Sequence, residues 1–323
     1  MDEDAQMEAA ALRVLIASDN HLGYMEADPV RCNDSFAAFE EVLQLAKRHK
    51  VDFVLLGGDL FHDNKPSRHS VFKAISILRK YTMGDDPIKI KIFSDQKQNF
   101  RDGRVNYEDP NVNIALPVFT IHGNHDDPTR DGGTEALSAC DLLSACGSVN
   151  YFGTNPQIKQ IDMRPVLIEK GPTKLALYGL GNVRDERLNR SFTKEEVKFV
   201  RPAVDKEKTK DYFNMFVLHQ NRDYGRGPKN CVHESFIPKF FDLVVWGHEH
   251  ECMIDPMEST HGYHITQPGS SVATSLVPGE AERKHVGLLS IYTDQFKLEK
   301  IPLSTVRPFI YKEVDLSECE ELS

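Results

Sequence analysis

Asp19 and His21 stand two residues apart, and far along the chain His248 and His250 repeat that spacing; between them lie Gly57-Gly58-Asp59, Gly123-Asn124-His125-Asp126 and His219. Each of these five stations follows an apolar run, at 12–17, 51–56, 117–121, 213–218 and 241–246, so each is expected where a strand ends. Side chains two apart on extended backbone point the same way. Asp19 can therefore converge with His21, and His248 with His250, on one ion cluster. A lone D-x-H carries little weight. Five carboxylate, amide and imidazole stations in the same strand-end setting predict a two-metal phosphoesterase centre.

A phosphodiester resists hydrolysis because its charge repels nucleophiles and its leaving alkoxide is poor. Two divalent cations about 3.5–4 Å apart supply an anion clamp and a nucleophile near neutral pH. Asp19 and Asp59 bring two negative charges against four positive ones, since imidazole and amide ligands are neutral, and the surplus attracts phosphate. The donor set lacks a thiolate, which suits manganese, iron, zinc or magnesium. Its wealth of imidazole makes two manganese ions (Mn2+) the first expectation and magnesium (Mg2+), which prefers oxygen and water, a weaker one.

The elements that position these groups alternate at first. A strand at 12–17 leads to a helix-period stripe of Phe36, Phe39, Val42, Leu43 and Ala46 capped by Asp34 or Ser35, and a strand at 53–56 leads to a helix over 67–81. The stretch 83–113 breaks the pattern and reads as a long insertion, functional or partner-bound, with a floppy surface loop as the bland alternative. A helix is expected near 133–145. After it the chain turns strongly β, interrupted by a basic helical segment at 184–190. These runs predict an α/β chain with two sheets packed face to face and helices outside each.

The 323 residues allow a sizeable core, with 40% hydrophobic and 27% charged residues. No apolar run approaches the ~18 residues needed to span a bilayer, and the first ten residues are acidic where a signal peptide would be basic and then apolar. The expectation is an intracellular protein without a membrane partner. Six cysteines form no C-x-x-C pair, which argues against a disulfide frame or structural zinc. A net charge of −10 argues against a broad basic surface for nucleic acid, though not against a metal cluster with a local basic strip. Lys65, Arg68, Arg184, Arg187 and Arg190 could line such a phosphate track; a solvated face is equally open for each. Residues 1–11 are expected to be a disordered acidic terminus, 12–303 the catalytic domain, and 304–323 a linker or the start of a further domain.

The text around the stations is more specific than their spacing. D-N-H-L-G-Y at 19–24, L-G-G-D-L-F-H-D-N-K-P-S at 56–67, I-H-G-N-H-D-D-P at 121–128 and W-G-H-E-H-E-C at 246–252 resemble the calcineurin-like metallophosphoesterases. Within them, the likeness is to the eukaryotic meiotic-recombination-eleven type of nuclease in DNA double-strand-break repair, and it runs from about Leu12 to Pro308. It extends to N-Y-F-G at 150–153, Y-G-L-G-N-V-R-D-E-R at 178–187 and Q-P-G-S-S at 267–271.

The resemblance implies a four-layer αββα sandwich of two mixed sheets. It implies that Asp59 bridges both metals, with Asp19, His21 and His250 completing one shell and Asn124, His219 and His248 the other. His125 would stabilise or protonate the leaving 3′ oxygen, and His62 would be a second contact to the scissile phosphate. For His62 a surface pair with Asp63 stays open, and Asp126 could orient the His125 ring or cap the next helix. The implied activity is 3′-5′ exonuclease and single-strand endonuclease action on DNA ends, hairpins and single strands in the nucleus.

Implied partners are a coiled-coil ATPase subunit, a regulatory subunit at 83–113, and a second copy of the chain through helices near 67–81 and 133–145, with Ile75, Leu78, Leu137, Leu142 and Leu143 as candidate contacts. Two rivals remain. One is a phosphomonoesterase such as a serine/threonine protein phosphatase, which shares D-x-H, G-D and G-N-H but typically continues V-D-R-G, where this chain has no arginine until Arg68. The other is a non-catalytic DNA-end scaffold, which a full ligand set disfavours.

Overall fold

Leu12, Val14 and Ile16 face one side of the first strand and Leu15 and Ala17 the other, and both sides are buried. Burial on both faces is what a largely parallel sheet requires. The computed structural model describes residues 10–130, 134–155, 160–202, 212–225 and 227–314. Its first sheet is built from β1 (Leu12–Ala17), β2 (Phe53–Leu56), β4 (Val118–Thr120), β5 (Asn150–Tyr151), β12 (His285–Tyr292) and β13 (Gln295–Pro302), in the order β13-β12-β1-β2-β4-β5. The second contains β3 (Lys91–Ile92), β6 (Val166–Lys170), β7 (Thr173–Leu180), β8 (Phe213–His219), β9 (Leu243–Gly247), β10 (Met253–Glu258) and β11 (His264–Gln267), in the order β10-β11-β9-β8-β7-β6-β3.

Both sheets are mixed. β1, β2, β4 and β5 run parallel, as do β7, β8, β9 and β11, while the outer strands are antiparallel. The inward faces meet in one apolar layer containing Val14, Ile16, Phe53, Phe119, Leu177, Met215, Val217 and Val245. Outside the first sheet lie α1 (Asp34–Arg48), α2 (Arg68–Thr82) and α3 (Ala139–Ala145); outside the second lies α4 (Asp185–Thr193), which buries Leu188. Four layers result, with helices on both outer faces. Among the described residues no helix is long and apolar enough to cross a membrane.

Several expectations shift. α1 begins after Asn33, so Asp34 lies in its first turn and neither Asp34 nor Ser35 is the cap. The helix expected at 133–145 is only the seven residues of α3, because Ser138 and Asp141 form a capping box that fixes its start, and Ala136–Leu137 pairs instead with Thr129–Arg130. Stretch 83–113 is tied down rather than floppy: β3 joins the edge of the second sheet, and Ile90, Phe100 and Val105 enter the layer between the sheets. Residues 1–9 and 315–323 lie outside the described residues.

The chain beyond β13 returns across α1. Ser304 and Thr305 donate backbone and hydroxyl hydrogen bonds to the buried Glu41 carboxylate, and Arg307 pairs with Asp34. At the centre, the Phe119 ring packs on Phe53 with centroids 5.1 Å apart and on Phe100 and Phe152 at 6.2 Å. Phe119→Ala is expected to cost about 3–5 kcal/mol of stability, read as a lower urea midpoint at unchanged slope; a midpoint that does not move would show that the layer closes over the deletion.

Candidate metal centre

In each sheet the parallel strands deliver their C-terminal ends to one edge, the place where open α/β sheets bind ligands. Asp19 follows β1, Asp59 follows β2, Asn124 and His125 follow β4, His219 ends β8, and His248 and His250 follow β9. All seven expected ligands meet there. His21 Nε2 and His250 Nε2 lie 3.0 Å apart, and Asp19 Oδ1 is 3.5 Å from His250 Nε2 and 4.0 Å from His21 Nε2. Asp59 Oδ2 is 3.2 Å from His219 Nε2 and 3.9 Å from His21 Nε2, so Asp59 stands between the two halves. Asn124 Oδ1 reaches His248 Nδ1 at 2.8 Å and His219 Nε2 at 3.3 Å. Asp19, His21 and His250 form one group of donors within 4.8 Å, and Asp59, His219 and His248 another.

The donors fit divalent cations on physical grounds. Asp19 Oδ1 is buried without a hydrogen-bond partner, a costly condition for a carboxylate oxygen unless positive charge meets it. Burial alone would depress His219, yet the Asp59 and Asp19 carboxylates push it up to about 10. His250, also opposed by burial, is raised to about 9 by Asp19 and Glu280. Burial raises Asp59, but His219 outweighs it and holds the carboxyl down at about 2. His21 is depressed to about 3 and His248 to about 4, chiefly by burial, which leaves both neutral and ready to donate a lone pair. The field of the two carboxylates thus demands cations at the centre.

Backbone strain marks the same residues. Asp19, His21, Asp59 and His248 all adopt positive φ, at 51°, 46°, 49° and 81°. Each such conformation costs on the order of 1–3 kcal/mol and is held only by its surroundings. Part of the restraint is visible: Asp19 N–H donates to the Gly58 carbonyl and His21 N–H to the Asp59 carbonyl, locking the first loop to the second. A Cβ at Gly123 would overlap the Asp59 carboxylate, so only glycine lets that loop approach.

His62 and His125 stack beside the centre, with rings 5.1 Å apart and 22° from parallel. His125 Nδ1 lies 2.6 Å from the His62 carbonyl oxygen and donates to it, which turns Nε2 away from the backbone. His62 Nδ1 approaches His21 Nδ1 at 3.3 Å, and its ring packs on Tyr24. The expected roles of Asp126 need correction. Its carboxylate accepts from the Leu60, Phe61 and Gly123 amides, joining two ligand loops; Ser138 caps the next helix and the His62 carbonyl orients His125. Burial and the Asp59 charge raise Asp126 to about 6.

Sequence reasoning missed the partners that aim the ligands. The Gly57 carbonyl takes His219 Nδ1–H at 2.8 Å, Asn221 Oδ1 meets His248 Nε2 at 2.8 Å, and Thr274 Oγ1 and Glu280 Oε1 hold His250 Nδ1 at 2.8 and 3.4 Å. Buried Lys284 binds the His250 carbonyl and Glu280 together. Apart from Gly57, none belongs to a ligand station, and only the fold reveals these pairings. Arg68, Arg184, Arg187 and Arg190 are exposed, as is Lys65, and Arg184 pairs with its neighbour Glu186.

A model of the calcineurin-like phosphoesterase family matches residues 12–252. The chain belongs to the calcineurin-like phosphoesterases. Among its curated relatives, the double-strand break repair protein MRE11 of Oryza sativa subsp. indica is 58% identical over 96% of this chain and 45% of its own length. Those of Arabidopsis thaliana and Homo sapiens are 56% and 51% identical, over 96% and 99% of this chain and 44% and 45% of theirs. This calcineurin-like phosphoesterase chain therefore spans about half the length of these relatives.

Gly123→Ala, which would drive a methyl group into Asp59, is expected to lower divalent-cation uptake from two ions per chain to at most one while the chain stays folded, as read by calorimetric titration alongside circular dichroism. Undiminished uptake of both ions would remove Asp59 from the centre.

Proposed function

We propose that this chain is the catalytic core of a manganese-dependent DNA phosphodiesterase of double-strand-break repair, acting as a 3′-5′ exonuclease and single-strand endonuclease on ends, hairpins and single strands. One observation carries the reading: five imidazole and amide groups and two buried carboxylates, delivered by five strand ends, converge on one cluster, with the stacked pair His62 and His125 alongside. The relatives named above carry double-strand break repair in their names, which supports DNA as substrate and the nucleus as location.

In this reading Asp59 would be shared by two cations, with Asp19, His21 and His250 holding one and Asn124, His219 and His248 the other. Two bound cations would clamp the phosphate and supply a nucleophile near neutral pH. His125, with Nδ1 committed to the His62 carbonyl, presents Nε2 to the reacting phosphate and in its cationic form can pass that proton to the leaving 3′ oxygen. His62 sits where it can hold a phosphate oxygen, and its ring fixes that of His125 by stacking. Gly57, Asn221, Thr274 and Glu280 hold the ligand rings in place.

The same reading extends to partners. Residues 12–303 form the catalytic domain, 83–113 receives a regulatory subunit, and a coiled-coil ATPase joins the parent assembly. A second copy docks through α2 and α3, where Phe72 is 65% and Leu142 55% exposed; Leu78 and Leu143 are buried in the core and leave the list of contacts.

His125→Asn is expected to lower manganese-dependent cleavage of end-labelled duplex DNA by about 10²–10⁴-fold while manganese and DNA binding persist. Hydrolysis of a phosphopeptide by the unsubstituted chain with no cleavage of DNA would instead make it a phosphomonoesterase, and cleavage of neither would favour the scaffold.

A further inference from the structure

A second cluster of metal-binding side chains lies in the segment that follows β8. Asp223, Cys231 and His233 bring a carboxylate oxygen, a sulfur and an imidazole nitrogen within 4.8 Å of one another. His233 Nε2 is 2.8 Å from the Pro228 carbonyl oxygen, which can only accept, so Nε2 carries a proton. Nδ1 then faces Asp223 Oδ2 at 3.3 Å. A lone pair and a carboxylate at that distance repel unless positive charge stands between or beside them. A second ring proton would supply it, but that answer leaves out the thiol. Cys231 is buried, and among the described residues its Sγ makes one long contact, the thiol proton directed at the Gly227 carbonyl at 3.8 Å. A cation uses all three donors.

We propose that Asp223, Cys231 and His233 form a zinc site, bound through a carboxylate oxygen, Sγ and Nδ1, with water in the fourth position. Thiolate, imidazole and carboxylate together suit zinc, whereas manganese suits the thiolate-free main centre. The Cys231 proton leaves to solvent as the metal–sulfur bond forms. Burial and the Asp223 charge raise that thiol, and a bound dication reverses the balance. The hydrogen bond from His233 to Pro228 is the kind of outer contact that orients a ligating ring. The spacing, with seven residues between Asp223 and Cys231 and one between Cys231 and His233, contains no C-x-x-C and passes unnoticed in a scan for zinc motifs.

The site would steady the main centre. Val232, between the two ligands, donates its amide to the Asn221 carbonyl at 3.0 Å, and Asn221 Oδ1 holds His248 at 2.8 Å. Zinc here staples the segment that supports a ligand of the main centre.

Cobalt supplies the test, because a thiolate-to-cobalt charge-transfer band requires a cysteine ligand and the main centre has none. The reduced full chain titrated with Co2+ is expected to develop this band and to lose it on adding Zn2+. Cys231→Ser should show no band, and His233→Gln and Asp223→Asn should need roughly tenfold more cobalt or greater. Circular dichroism checks each fold; if Cys231→Ser fails to fold, the other two variants decide. No band in the unsubstituted chain, a band that persists in folded Cys231→Ser, or cobalt affinity unchanged in both His233→Gln and Asp223→Asn overturns the proposal.

Discussion

Asp19 and Asp59 are both withdrawn from water at the meeting edge of the two sheets, and the histidines around them answer their charge. Two carboxylates this close would not ionise side by side in an apolar interior; each would take up a proton. Here His219 and His250 are drawn toward the charged form while His21 and His248 stay neutral. One pair of anions therefore sorts four imidazoles into two kinds. The same field that favours protons on rings favours divalent cations in their place, which is why the centre binds metal rather than merely tolerating buried charge.

The fold is arranged to impose this arrangement. Strands that run parallel within each sheet end at a common edge, and beyond β1, β2 and β9 the residues Asp19, His21, Asp59 and His248 leave the ladder at positive φ. That strain is held by amide-to-carbonyl bonds between the first two loops and by the Asp126 carboxylate, which ties the second to the third. The apolar layer between the sheets is what makes the strain affordable: residues such as Phe119 and Val217 fix the strands, and the strands fix where the loops begin. The acidic surface leaves any grip on a polyanion to the cation cluster and to local basic residues, not to the overall charge.

Much of the centre was legible in the sequence because strand ends announce themselves. Apolar runs followed by Asp, Asn, His and Gly mark both the strand ends and the chemistry of five stations, and the family resemblance singles out Asp19, His21, Asp59, Asn124, His219, His248 and His250 within them as candidate ligands. Less visible were features that depend on competition between local signals. A helix is expected near 133–145; residue 133 lies outside the described residues, and the Ser138–Asp141 capping box starts α3 only at Ala139. The β3 strand inside 83–113 is only two residues long, too short for periodicity to register.

What the sequence determined by itself was the kind of chemistry, the donor types and the α/β alternation, since these follow from residue identity and short-range spacing. The tertiary structure decided which groups face which: that the His62 carbonyl, not Asp126, orients His125; that Asn221 and Glu280, neither in any ligand station, hold His248 and His250; and that Asp223, Cys231 and His233 share one pocket of space. These contacts join loops from different strands and both sheets. Their geometry depends on how the sheets pack, a property of the whole chain that no local pattern carries.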